Sequence, residues 1–139
     1  MSFMSRSQQR DHVFKLLFQI ESLSPEDYEE HFHNYLEEQE KVSNENKESL
    51  KVRINNILPH ILKIDEQLNE KASGWKTTRM NKVDLTILRL AVYEMMFDDD
   101  VPVGVAINEG VELAKKYSGD DGPAFVNAVL AKFAVEMEP

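Results

Sequence analysis

Residues 75–133 read WKTTRMNKVDLTILRLAVYEMMFDDDVPVGVAINEGVELAKKYSGDDGPAFVNAVLAKF, and this stretch decides the fold. Three apolar helix patterns lie in it, separated by two short polar breaks that each carry a proline. The first, from about Thr78 to Phe97, places Val83, Ile87, Leu90 and Ala91 on one face. Leu85, Leu88, Val92, Met95 and Met96 occupy others, and a helix apolar nearly all round belongs at the centre of a bundle. The break Asp98-Asp99-Asp100-Val101-Pro102 starts a second helix that runs to about Tyr117, with Gly119 expected as its left-handed stop. Asp121-Gly122-Pro123 opens a third, whose stripe is Val126, Val129, Leu130 and Phe133.

The rest of the chain follows the same period. Val13, Phe14, Leu17 and Phe18, widened by Leu16 and Ile20, predict a first helix over about residues 5–21. Ser24-Pro25-Glu26-Asp27 reads as a helix start: a capping hydroxyl, proline at the first position, then acids at the positive end of the dipole. That helix carries Tyr28, Phe32, Tyr35 and Leu36 on one side. Ser43-Asn44 opens another, with Leu50, Ile54, Ile57 and Leu58 as its stripe until Pro59 bends or ends it. Ile61, Ile64 and Leu68 extend the pattern to about Ala72, and Gly74-Trp75 breaks it. No alternating strand pattern occurs. The expected fold is all-α, a compact bundle of about seven helices in two layers around the central apolar helix, with residues 1–139 forming one domain.

Composition narrows the function. With 42% hydrophobic and 29% charged residues, the chain sits among ordinary globular proteins. It has no cysteine, which excludes disulfides and thiolate metal sites. The N-terminus lacks an apolar leader pattern and no segment nears 18 consecutive apolar residues, so the expected location is cytoplasmic, away from membranes. Net charge is −9, unevenly spread. Residues 21–50 hold ten acids against Lys41 and Lys47, while residues 1–20 hold Arg6, Arg10 and Lys15 against Asp11. On charge alone such a chain repels nucleic acid, so RNA binding needs a local basic patch or a basic partner.

Enzyme chemistry finds little support. Glu30-His31-Phe32-His33 offers one Glu-x-x-His pair, where a di-iron bundle needs two with further carboxylates. Zinc helices, phosphate-cradling glycine loops and nucleophile elbows are missing. The expectation is no catalytic residue, no metal and no cofactor. Arg89, Glu94, Asn108, Glu109 and Asn127 interrupt apolar patterns, and such groups fix bundle packing when they bond between helices. Aromatic residues beside basic ones serve single-stranded RNA. Phe125 stands in the first turn of the last helix, and Lys115, Lys116 and Tyr117 end the helix before it. By periodicity alone Phe125 reads either as core or as a platform for a base.

The stretch resembles the C-terminal half of the NusB family, in Arg79-Met80, VDLTILRLAVYE at 83–94, VAINEGVELAKKY at 105–117 and FVNAVL at 125–130. RSQQRDHVFKLLFQIE at 6–21 is similar to the family's opening helix, and residues 22–72 match in helix pattern. The resemblance implies a non-catalytic transcription antitermination factor. Its expected partners are boxA-containing single-stranded RNA of nascent ribosomal transcripts, the small-subunit ribosomal protein NusE, and the RNA polymerase antitermination complex. It implies RNA contacts at Arg6, Arg10, Asp121 and Phe125, with Lys115 beside them, and NusE contacts at Phe18 and Asp84. Asp84 also reads as a charge favouring its own helix N-terminus. Some family members self-associate, which leaves a homodimer open. Ser7, Gln8 and Gln9 stand where the opening helix is often richer in arginine, so the expected binding to RNA alone is weak.

Overall fold

The computed structural model describes residues 4–72 and 74–137, in which seven α-helices and no strand occur. The helices are α1 (Arg6–Gln19), α2 (Tyr28–Glu37), α3 (Asn44–Ile57), α4 (Ile61–Lys71), α5 (Lys82–Phe97), α6 (Val103–Tyr117) and α7 (Gly122–Met137). They divide into two compact units, Met1–Leu58 and Pro59–Pro139.

In the first unit α1 packs against α3. Its start is fixed by a capping box: Ser5 Oγ accepts from the Gln8 amide at 3.1 Å, and Gln8 Oε1 accepts from the Ser5 amide at 2.8 Å. Val13, Phe14, Leu16 and Leu17 are buried on α1, as are Leu50, Ile54 and Ile57 on α3. Arg53 Nε donates to Gln9 Oε1 at 3.2 Å, and His12 Nδ1 shares a hydrogen bond with the Tyr35 hydroxyl of α2 at 2.8 Å. α1 ends at Gln19, two residues before the expected stop, and a 3-10 turn takes Ile20–Ser22. Ser24 is extended, but the capping bond expected of its hydroxyl is not made. Pro25–Asp27 instead forms a 3-10 turn before α2, which tightens the entry without a side-chain acceptor. Ser43 does cap α3, accepting from the Asn46 amide at 3.1 Å.

In the second unit α5 packs against α4, α6 and α7, as its all-round apolar surface demands. Leu85, Ile87, Leu88, Leu90, Ala91, Val92 and Met95 are all buried. Against them stand Ile64 and Leu68 of α4 and Val126, Val129, Leu130 and Phe133 of α7, each 0% exposed. Burial of one such side chain contributes roughly 1.5–3 kcal/mol. Gly110 lets α6 approach closely, since a Cβ there would meet Leu130 Cδ1 at 3.0 Å.

Arg89 makes the inter-helix link expected of a charge in an apolar run. Its Nε and Nη2 donate to the two carboxylate oxygens of Asp65 on α4, at 2.9 and 2.8 Å. Glu94 is also buried, at 2% exposure. Asn108 and Asn127 instead lie exposed, so the packing role expected of them is corrected: each sits on the solvent side of its own apolar stripe. The loop glycine with positive φ is Gly74, at 100°, after α4. Gly119 is not left-handed; α6 stops because its C-cap Ser118 is extended. No helix among the described residues is long and apolar enough to cross a membrane.

Candidate nucleic-acid interface

The segment entering α5 is built from both ends. Asn69, near the end of α4, accepts from the Thr77 amide at 2.9 Å and donates through Nδ2 to Thr77 Oγ1 at 3.2 Å. This buries Thr77 and seats the 3-10 turn Thr77–Arg79. Met80 is extended, and Asn81 caps α5 by accepting from the Asp84 amide at 2.8 Å. The helix therefore begins at Lys82 rather than near Thr78, because the amide of Asn81 is a better cap than the threonines upstream. Arg79, at the end of the held turn, is exposed. It has neither an ion pair nor a side-chain hydrogen bond among the described residues.

The α6–α7 turn is tied to this entry by Asp84. Ser118 Oγ donates to Asp84 Oδ1 at 2.6 Å, and Asn81 Nδ2 donates to Asp84 Oδ2 at 2.9 Å. Asp84 is only 5% exposed, so both carboxylate oxygens are spent on internal donors. Gly122 lies against this knot, and a Cβ there would overlap the side chain of Ser118. The close approach makes glycine necessary at 122. The Phe125 amide then donates to the Asp121 carbonyl at 3.0 Å, which orients the first turn of α7.

Between the two segments opens a cleft of about 380 Å³. Arg79, Met80 and Asn81 line it on the α5 side, and the Ser118–Gly122 turn with Phe125 lines it on the other. Phe125 is half-buried, and Trp75 packs against it in a T-shaped pair, ring centroids 6.3 Å apart and planes at 89°. A T-shaped neighbour restrains a ring while covering at most one of its two faces. Asp120 and Asp121 are exposed along the turn, so the cleft mixes one cation with several acids.

Of the residues predicted from sequence, Phe125, Asp121 and the buried Asp84 all line this cleft. Asp84 is engaged internally, so its carboxylate ties the two segments together. Lys115 is exposed on α6 and paired with Glu112 at 2.9 Å, off the cleft wall. Arg6, Arg10 and Phe18 belong to α1 in the other unit. Arg6 is exposed, Arg10 is buried at 7% exposure, and Phe18 is 39% exposed and stacked on Phe14 at 6.2 Å. Sequence reasoning missed Trp75, Arg79 and Ser118 as site residues; only Asn81, a cap residue before an apolar run, carried a signal. Among the described residues no group of three or more metal-ligating side chains comes together.

Comparison with known proteins agrees on one family. The NusB family model matches residues 7–135. The transcription antitermination protein NusB of Agathobacter rectalis is 47% identical over 131 residues, covering 94% of this chain and 100% of that one. Among solved structures, T. maritima NusB has a TM-score of 0.85 at 34% identity, covering 99% of this chain and 96% of the other. A crystal structure of the antitermination factors NusB and NusE in complex with dsRNA has a TM-score of 0.75 at 26% identity, covering 95% and 99%. The chain belongs to the NusB family of transcription antitermination proteins.

Proposed function

We propose that this chain binds boxA-containing single-stranded RNA of nascent ribosomal transcripts together with NusE, as an adaptor in the RNA polymerase antitermination complex of the cytoplasm. In this reading residues 1–139 act as one RNA-binding domain. The observation that carries it is the cleft: Phe125, braced by Trp75 in a T-shaped pair, stands half-buried across from the exposed Arg79. A braced ring at the mouth of a cleft suits an unstacked base, worth roughly 1–3 kcal/mol. Phe18, exposed on α1, is the apolar contact offered to NusE. Asp84 ties the two segments of the site together. The similarity to NusB in a NusB–NusE complex with dsRNA supports RNA as the class of ligand and NusE as the partner.

The test is binding of labelled boxA RNA by anisotropy, with and without NusE, against a scrambled strand and a duplex of the same sequence. Trp75 is the chain's single tryptophan, so its emission gives a second readout beside Phe125. The expected result is preference for the boxA strand, strengthened by NusE, with a change in Trp75 emission that Phe125→Ala removes. A second reading, a helical module that binds protein alone, is favoured by the net charge of −9 and by the burial of Arg10. Retained NusE binding without RNA preference in either condition would select it.

A further inference from the structure

We infer that Arg79 holds a phosphate of the bound strand, and that Arg79 and Phe125 together form a subsite for one nucleotide. The base lies on the Phe125 ring and its phosphate on the guanidinium. This rests on the RNA reading above and adds to it a residue that carries the electrostatic part of the contact.

Arg79 is the cation among the residues lining the cleft. Three carboxylates line it too, yet none pairs with Arg79 among the described residues. Asp84 is buried and already bonded through both oxygens to Asn81 and Ser118. Asp120 and Asp121 belong to the facing turn, where they repel a phosphate and leave the Arg79 wall as the favourable side. An unpaired guanidinium offers a planar fork of donors suited to bidentate contact with phosphate.

The turn that carries it is already ordered by the two Asn69–Thr77 hydrogen bonds, so less backbone freedom is lost on binding. A volume of about 380 Å³ falls within the range of small-ligand pockets, roughly 300–1,000 Å³. The subsite also answers the thinness of α1, where Arg10 is buried and only Arg6 is an exposed arginine.

Salt dependence separates a phosphate contact from a merely structural role. Binding of boxA RNA with NusE is measured across a salt series for wild type, Arg79→Gln, Arg79→Lys and Phe125→Ala. Arg79→Gln is expected to weaken binding about tenfold, the effect of losing a charged hydrogen bond. It should also make the log–log salt slope shallower by about 0.7, the contribution of one phosphate on a single strand. Arg79→Lys keeps the charge and should keep the wild-type slope with a smaller loss of affinity. Arg79 is exposed, so thermal melts of the variants should match wild type. If Phe125→Ala weakens binding while Arg79→Gln retains the wild-type slope and affinity, the inference is overturned and the RNA reading stands. If wild type binds boxA no better than scrambled RNA, both fall.

Discussion

Asp84 reads from sequence as an acid at a helix start, yet its oxygens accept from Ser118 and Asn81 across 34 and 3 residues. A carboxylate 5% exposed depends on such donors, because a buried charge without hydrogen bonds is strongly disfavoured. Ser118→Ala removes one donor and should destabilise the chain by about 1–3 kcal/mol. Gly122→Ala pushes a methyl group into Ser118 and should destabilise by a similar amount, about 1–3 kcal/mol, through overpacking. Urea unfolding checks both. The two effects should be less than additive in the double variant, since both act on one contact. Full additivity would mean that Ser118 and Gly122 act separately.

At the scale of elements, the Arg89–Asp65 pair clamps α5 to α4 with two hydrogen bonds. Asp65→Ala leaves the buried guanidinium of Arg89 without that carboxylate and should destabilise by about 3 kcal/mol, while Arg89→Met with Asp65→Ala should recover part of the loss. Equal instability of the single and double variants in denaturant titrations would refute this. This clamp was legible in the sequence because a charge inside LRLAVYE must find a partner, and helix periodicity supplied α3 to α7 for the same reason. What failed were ends. Thr78 read as the start, and only the bonds from Asn69 show that the threonine segment is a 3-10 turn. The cleft was half legible: Phe125 stood out by its place in α7. Arg79 and Trp75 did not, since nothing periodic couples them to a residue about fifty positions later, and only the folded α4–α5 connection brings them to it.

For the whole molecule, the proposed function requires a chain of net charge −9 to hold a polyanion. Most exposed charge is unhelpful: residues 21–50 carry a balance of −8, and nine of their ten acids, all but Glu21, are exposed. Positive charge enters locally, through Arg79 in the cleft and Arg6 on α1, and stacking on Phe125 is indifferent to salt. Two or three phosphate contacts give a single-strand slope of about −1.4 to −2.1. Affinity of the isolated chain for boxA RNA should then fall only about sevenfold to eighteenfold between about 50 and about 200 mM salt. Adding NusE, a basic ribosomal protein, should steepen the slope as its own cations join the contact. A slope steeper than about −4 for the chain alone would require six or more phosphates. RNA would then have to run over a basic surface far larger than two exposed arginines, and the cleft would not be the centre of binding.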